Sequence, residues 1–62
     1  MDNLRLVDLL AMETSLELPS IYVLVRKISK IMEEYPTDEA EKILKQRFNI
    51  SESLIKKIID LK

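Results

Sequence analysis

A long stripe of apolar residues between positions 19 and 35 constrains the fold of this chain more than any other feature. Within PSIYVLVRKISKIMEEY, apolar side chains recur at the i, i+3, i+4 and i+7 spacing of one helix face. Tyr22 and Val23 fall outside the stripe, so the first two turns are apolar nearly all round. A helix with this pattern is typically buried on more than one side. The segment is therefore predicted to be a central helix, with three shorter helices packed against it.

The rest of the chain favours an all-α fold, because signals for β-strands are nearly absent. The sequence has no Gly and no long period-two alternation of apolar residues. Its 62 residues suffice for one domain, near the lower limit for folding without disulfides or metals. It also has no Cys and no His, which excludes disulfides, thiolate and imidazole ligands and the commonest general base. The prediction is a compact four-helix bundle over residues 1–62, without metal or cofactor.

Helix start and stop signals divide the chain into four helices. Pro19 suits the first turn of a helix, and Pro36 disfavours helical geometry in the residue before it. Ser51 is a good N-cap for the last helix. Leu16 and Leu18, between the first two helices, are spaced to point inward. The predicted helices cover residues 3–13, 19–35, 38–47 and 52–61.

The last predicted helix has an apolar face that covers more than half of its circumference. A short terminal helix seldom buries so wide a face within its own monomer, so it either lies in a deep groove or meets a second chain. The second possibility predicts a homo-oligomer or a protein partner. The residues assigned to that interface are Leu54, Ile58, Ile59 and Leu61.

Two segments of the chain match each other at an offset of 34 residues. The first is LLAMETSLELPSIYVLV, residues 9–25, and the second is ILKQRFNISESLIKKII, residues 43–59. Each reads as a short helix, a turn with one inward apolar residue, and a second helix. The bundle is therefore predicted to consist of two such hairpins. The aligned pairs are Leu10 with Leu44, Ser15 with Asn49, Leu16 with Ile50, Ile21 with Ile55, Leu24 with Ile58 and Val25 with Ile59.

The spacing of the second segment resembles the DNA-binding helix-turn-helix. In RFNISESLIKKII, Asn49 stands where Gly usually opens the turn, Ile50 is the buried aliphatic residue and Ser51 is the cap. Lys45 departs from the family pattern, which has a small residue there. The first segment fits less well, because Glu17 replaces the usual Ser or Thr. The resemblance implies a module that binds double-stranded DNA in a regulatory role.

Helix phase and charge indicate which residues of the second segment would contact DNA. Residues 42–62 carry six basic side chains against two acidic ones, whereas residues 1–41 carry four against nine. A basic third of a chain points to an anionic partner, although helix dipoles also favour bases near helix ends. The alternative is a solvated face with no ligand. The residues predicted to contact DNA are Lys45, Gln46, Arg47, Ser51, Glu52, Ser53, Lys56 and Lys57.

A second resemblance, over residues 25–61, is to the CUE branch of ubiquitin-associated three-helix domains. Tyr35-Pro36 and Ile58-Ile59 stand where that family has part of its Met-Phe-Pro loop and its paired aliphatic residues, but Glu34 replaces the Met. This resemblance implies a protein-interaction module, with those residues exposed together as an apolar patch. The Lys, Glu, Ile and Leu content is also typical of designed helical bundles.

No set of residues in the sequence has the composition or spacing of a catalytic centre. The Ser residues have no His partner, and no glycine-rich loop for phosphate is present. We therefore predict no enzyme activity and no small-molecule substrate.

No apolar run approaches the roughly 18 residues that span a bilayer, and the N-terminus lacks the basic cluster of a secretory signal. These features predict a cytoplasmic protein without membrane contact.

Overall fold

A computed structural model describes residues 3–61 and shows an all-α four-helix bundle. The sequence-based fold class is confirmed, and each helix boundary agrees with its prediction to within one residue. Within the described residues no β-strand occurs. The helices are α1 (Asn3–Glu13), α2 (Leu18–Glu34), α3 (Thr37–Arg47) and α4 (Glu52–Asp60).

Local chemistry explains where the helices begin and end. Pro19 lies in the first turn of α2, where its missing N–H has no intrahelical acceptor to lose. Tyr35 ends α2 in an extended conformation, as expected for a residue before proline, and its N–H donates to the Ile31 carbonyl at 3.1 Å. The Ser51 hydroxyl accepts a hydrogen bond from the Leu54 N–H at 3.2 Å and so caps α4 as predicted.

The core is a single cluster of aliphatic side chains to which all four helices contribute. One polar side chain, Ser29, is buried with them, and its hydroxyl donates to the Asn3 Oδ1 atom at 2.9 Å. Burial of this hydroxyl is therefore compensated by a bond that joins α2 to the start of α1. The buried apolar residues are Leu6, Leu10, Ile21, Val25, Ile28, Ile31, Met32, Ala40, Leu44, Leu54, Ile55 and Ile58.

The helices do not surround α2 as the sequence predicted. Helix α2 packs chiefly against α1 and α3, while α4 packs against α1 and α3 on the other side of the bundle. Each helix therefore has two principal neighbours. A helix with two neighbours is covered on one side only, so the outer side of α2 remains in water.

The apolar residues on the outer side of α2 are exposed, which corrects their predicted burial. Tyr22 is 53% exposed and Val23 51% exposed. Leu16 and Leu18, expected to point inward, are 44% and 53% exposed. The turn before α2 is held by polar bonds instead: the Thr14 hydroxyl donates to the Leu10 carbonyl at 2.7 Å and accepts from the Leu16 N–H at 3.3 Å.

The wide apolar face of α4 is buried inside the domain. Leu54 and Ile58 are 5% and 0% exposed, and Ile59 and Leu61 are half-buried against the core. The sequence-based expectation that this face lies open to a second chain is thus corrected. The physical reason is that α1 and α3 pack against the side of α4 on which these apolar residues lie.

Candidate nucleic-acid interface

The structure places all eight residues of the predicted DNA contact on the surface. They lie on α3, on α4 and in the turn between them, and they differ in what each side chain contacts. The exposed residues are Lys45, Gln46, Arg47, Ser51, Glu52, Ser53, Lys56 and Lys57.

Lys45 is paired with a carboxylate of the neighbouring helix. Its Nζ atom donates to the Glu52 Oε1 atom at 2.5 Å, across the turn between α3 and α4. The hydrogen bond and the negative charge of Glu52 raise the pKa of Lys45, and the same two effects lower the pKa of Glu52. An amine already bound to a carboxylate has to give up that bond before it contacts a phosphate.

Lys57 is also paired, with a residue far away in the sequence. Its Nζ atom donates to the Glu13 Oε1 atom at 2.6 Å, which links α4 to the last turn of α1. We call the exposed residues of α4 the α4 outer face; they are Glu52, Ser53, Lys56, Lys57 and Asp60. Acidic and basic side chains are equal in number on this face, so it has little net charge.

Arg47 lies on the side of α3 opposite to Lys45. Two residues correspond to a rotation of about 200° on a helix, so these neighbouring cations point in opposite directions. The predicted DNA contact is therefore not one continuous basic surface. Lys45 faces α4, and Arg47 faces α2.

Arg47 helps to line a groove between α2 and α3. The groove has a volume of about 490 Å³, with Ile31, Tyr35 and Phe48 among its walls. Two lysines of α2 line it together with Arg47 of α3. We call it the α2–α3 groove; its lining residues are Lys27, Lys30, Ile31, Glu34, Tyr35, Arg47 and Phe48.

The basic surface continues from the groove along the outer side of α2. A shallower depression of about 330 Å³ is lined by Val23, Arg26, Lys27 and Lys30. Arg26 and Lys27 precede Lys30 by four and three residues, the spacing at which helical side chains are neighbours. Among residues 3–61, neither Arg47 nor any of these three cations of α2 forms an ion pair. Glu34 is the one acidic residue among residues 3–61 that lines either depression.

Sequence reasoning missed this groove because it assigned α2 to the core. The signal on α2 was present: three cations lie at the spacing of one helix face, between the apolar first turns and two glutamates. Arg47 could not be added from the pattern, because it lies 17 residues beyond Lys30 in the chain. Only the packing of α3 on α2 brings its guanidinium to the same groove.

The aliphatic pair required by the ubiquitin-associated resemblance does not form an open patch. Ile58 is fully buried and Ile59 is half-buried, while Tyr35 lines the α2–α3 groove.

Comparison of the chain with protein-family models, with curated proteins and with solved structures gives no match. Among residues 3–61, no helix combines the length and the apolar character that crossing a bilayer requires.

Proposed function

We propose that this domain binds double-stranded DNA, with the phosphate backbone of one strand held along the α2–α3 groove. The observation that carries the proposal is the concentration there of cations that have no ion pair among residues 3–61: Lys27 and Lys30 on one side and Arg47 on the other. Contacts of Lys and Arg with phosphate release counterions, and this release supplies much of the affinity in protein–DNA binding.

The chemistry of the groove suits an extended polyanion. The guanidinium of Arg47 offers a planar pair of donors to two phosphate oxygens, while each lysine offers a compact charge. Arg26 and Lys30 are separated by about 6 Å along α2, from the rise of 1.5 Å per residue. Cations spread along a helix in this way match a row of phosphates better than one free anion.

The helix-turn-helix-like pair α3–α4 has a secondary part in the proposal. Gln46 and Ser53 are exposed and make no side-chain hydrogen bond within the described residues, so they are available for contacts to groove edges. The paired Lys45 and Lys57 contribute less. The proposed role is regulatory and needs no catalysis, in a cytoplasm where DNA is accessible.

The proposal is tested by measuring the affinity for duplex DNA at several salt concentrations. A labelled duplex is titrated by fluorescence anisotropy between about 50 and 200 mM salt. Three phosphate contacts give a slope of log K against log salt of roughly −3, at about −0.9 per contact. Absence of binding at the lowest salt, or binding that ignores salt, would rule out the proposed function.

A charge-matched pair of variants then locates the contact. The groove variant carries Lys27→Ala, Lys30→Ala and Arg47→Ala, and the control carries Lys42→Ala, Lys56→Ala and Lys57→Ala. Both lose three positive charges, so general electrostatic attraction falls equally. We expect the groove variant to lose most of the salt-dependent affinity and the control to retain most of it. The reverse result would assign binding to the α3–α4 pair instead.

A further inference from the structure

We propose that the α2–α3 groove also takes up an unpaired base, so that the domain binds a duplex with a single-stranded end more tightly than a blunt duplex. The inference rests on the proposed DNA binding and deepens it, because it names the form of DNA that the groove fits best. The observation that carries it is the presence of two aromatic side chains, Tyr35 and Phe48, among the cations of the groove.

Two of the three aromatic residues of the chain line this one groove. Tyr35 is the C-terminal cap residue of α2 and Phe48 is that of α3, and both have an extended backbone. Each is half-buried against the core, so its ring keeps some surface open to the groove. Ile31 is only 6% exposed. Among the apolar side chains of the groove, the two rings therefore offer most of the open surface.

The backbone of a blunt duplex would leave these rings unused. The bases of a duplex are stacked on one another, and it is the phosphates that reach a cationic groove. An unpaired base has open faces, and proteins bind single strands by stacking such bases on aromatic side chains beside cations that hold the backbone. The groove combines both kinds of surface. Its volume of about 490 Å³ lies within the range of about 300–1,000 Å³ that is usual for small-molecule sites.

Glu34 favours a base over a further phosphate. Its carboxylate lines the same groove, is exposed and forms no ion pair among residues 3–61. A carboxylate repels phosphate and the side chains of an acidic peptide, but it accepts hydrogen bonds from the amino group of a base such as cytosine. An unpaired nucleotide in the groove thus has cations for its phosphates, rings for its base and an acceptor for its amino group.

Anisotropy titrations with three DNA probes test the inference. The probes are a blunt duplex, the same duplex with a short single-stranded overhang, and that overhang with abasic sites in place of its nucleotides. The intact and abasic overhangs carry the same phosphates, so their difference isolates the bases. We expect the intact overhang to bind about tenfold more tightly than the abasic one, as stacking of one base on an aromatic ring gives.

The same probes separate this inference from the proposed function. Salt-dependent binding of the blunt duplex, with equal affinity for the two overhangs, overturns the inference and leaves the proposed function standing. A preference for the intact overhang without binding of the blunt duplex supports the inference and overturns the proposed binding of double-stranded DNA. An acidic amphipathic peptide of Glu and Leu that competes as well as unlabelled overhang DNA assigns the groove to a protein partner and overturns the inference.

Substitution of the aromatic residues locates the base. Tyr35→Leu and Phe48→Leu keep an apolar side chain on the core but remove the ring, so each should lose most of the preference for the intact overhang. Tyr22→Leu is the matched control, because Tyr22 is 53% exposed and lines neither depression of the basic surface. The preference is a ratio of two affinities of the same variant, so an unfolded fraction cancels. A preference that survives in both groove variants overturns the assignment.

A choice between two pyrimidines tests the contact with Glu34. Cytosine has an exocyclic amino group that thymine lacks. A cytosine overhang should therefore bind about fivefold more tightly than a thymine overhang, and Glu34→Ala should remove this difference. Glu33→Ala is the control, because it removes the same charge from an exposed neighbour that lines neither depression. Equal binding of the two overhangs by the wild type overturns this contact.

Discussion

The outer sides of α2 and α4 differ in how their charged residues are arranged and paired. On α4, two acidic residues flank two lysines along the helix, and Lys57 is bound to Glu13. On α2, the exposed residues are segregated along the helix: apolar side chains first, then Arg26, Lys27 and Lys30, then two glutamates. One surface is balanced within the domain, and the other presents separate apolar and basic areas to whatever approaches it.

The difference shows that a count of basic residues is a poor guide to a binding surface. The C-terminal third has the greater excess of positive charge, yet two of its lysines are held by carboxylates of the same domain. Helix α2 has fewer cations, and these are unpaired within residues 3–61. Unpaired charge in a groove attracts an anionic partner more strongly than the same charge already neutralised nearby.

The largest difference between the two helices is expected in stability. Ile58→Ala should lower the free energy of unfolding by about 2–5 kcal/mol, because the isoleucine is fully buried and its truncation leaves a cavity. Val23→Ala should change it by about 0.5 kcal/mol or less, as expected at an exposed position. Urea denaturation followed by circular dichroism measures both. Similar losses in the two variants would mean that the outer side of α2 is buried after all.

A smaller difference is expected in DNA affinity when one lysine is neutralised on each helix. Lys30→Gln should weaken binding at every salt concentration and reduce the salt slope by about one unit, which corresponds to one lost phosphate contact. Lys56→Gln removes the same charge from the α4 outer face and should leave the slope nearly unchanged. Anisotropy titrations over a salt series decide between the two surfaces. Equal effects would show that only the net charge of the domain matters.

The smallest effect is expected at the ion pair between Lys45 and Glu52. Because the pKa of Glu52 is lowered in the folded protein, the pair stabilises the fold at pH values above the usual pKa range of carboxyl groups. This contribution is lost as the pH falls through the lowered pKa of Glu52. At high pH the same contribution is lost as the pH rises through the raised pKa of Lys45, where the lysine deprotonates. Both side chains are exposed, so the stabilisation is weak.

Thermal unfolding at several pH values tests this assignment. At neutral pH the wild type should melt slightly above Glu52→Gln, and the difference should vanish once the pH has fallen below the lowered pKa of Glu52, where this carboxyl is protonated. Glu39→Gln is the control, because Glu39 is an exposed acid of α3 without an ion pair among the described residues. A difference that persists at low pH would show that the substitution acts through something other than the charge of Glu52.

The internal repeat shows how far the sequence could predict the structure. Two of its aligned helix pairs are equivalent in burial: Leu10 and Leu44 are both fully buried, and Ile21 and Ile55 are 1% and 0% exposed. In the other two helix pairs one member is buried and the other, Leu24 or Ile59, is half-buried. The aligned turn residues differ more, because Leu16 is 44% exposed whereas its counterpart Ile50 is half-buried. Periodic spacing thus predicted which residues enter the core from the helices, but not how each turn lies on the bundle.

The sequence by itself determined four helices, their ends and most of their inner faces, because helix periodicity, proline geometry and the Ser51 cap act over a few residues. Tertiary structure alone decided which apolar surface stayed in water and which lysines were neutralised. Those outcomes depend on partners distant in the chain, such as Glu13 for Lys57 or Arg47 beside Lys30. The apolar turns of α2 and the apolar face of α4 are alike as patterns, and both helices pack against α1 and α3. They differ because Tyr22 and Val23 lie on the side of α2 that faces away from these neighbours, whereas the apolar residues of α4 lie on the side that the neighbours cover.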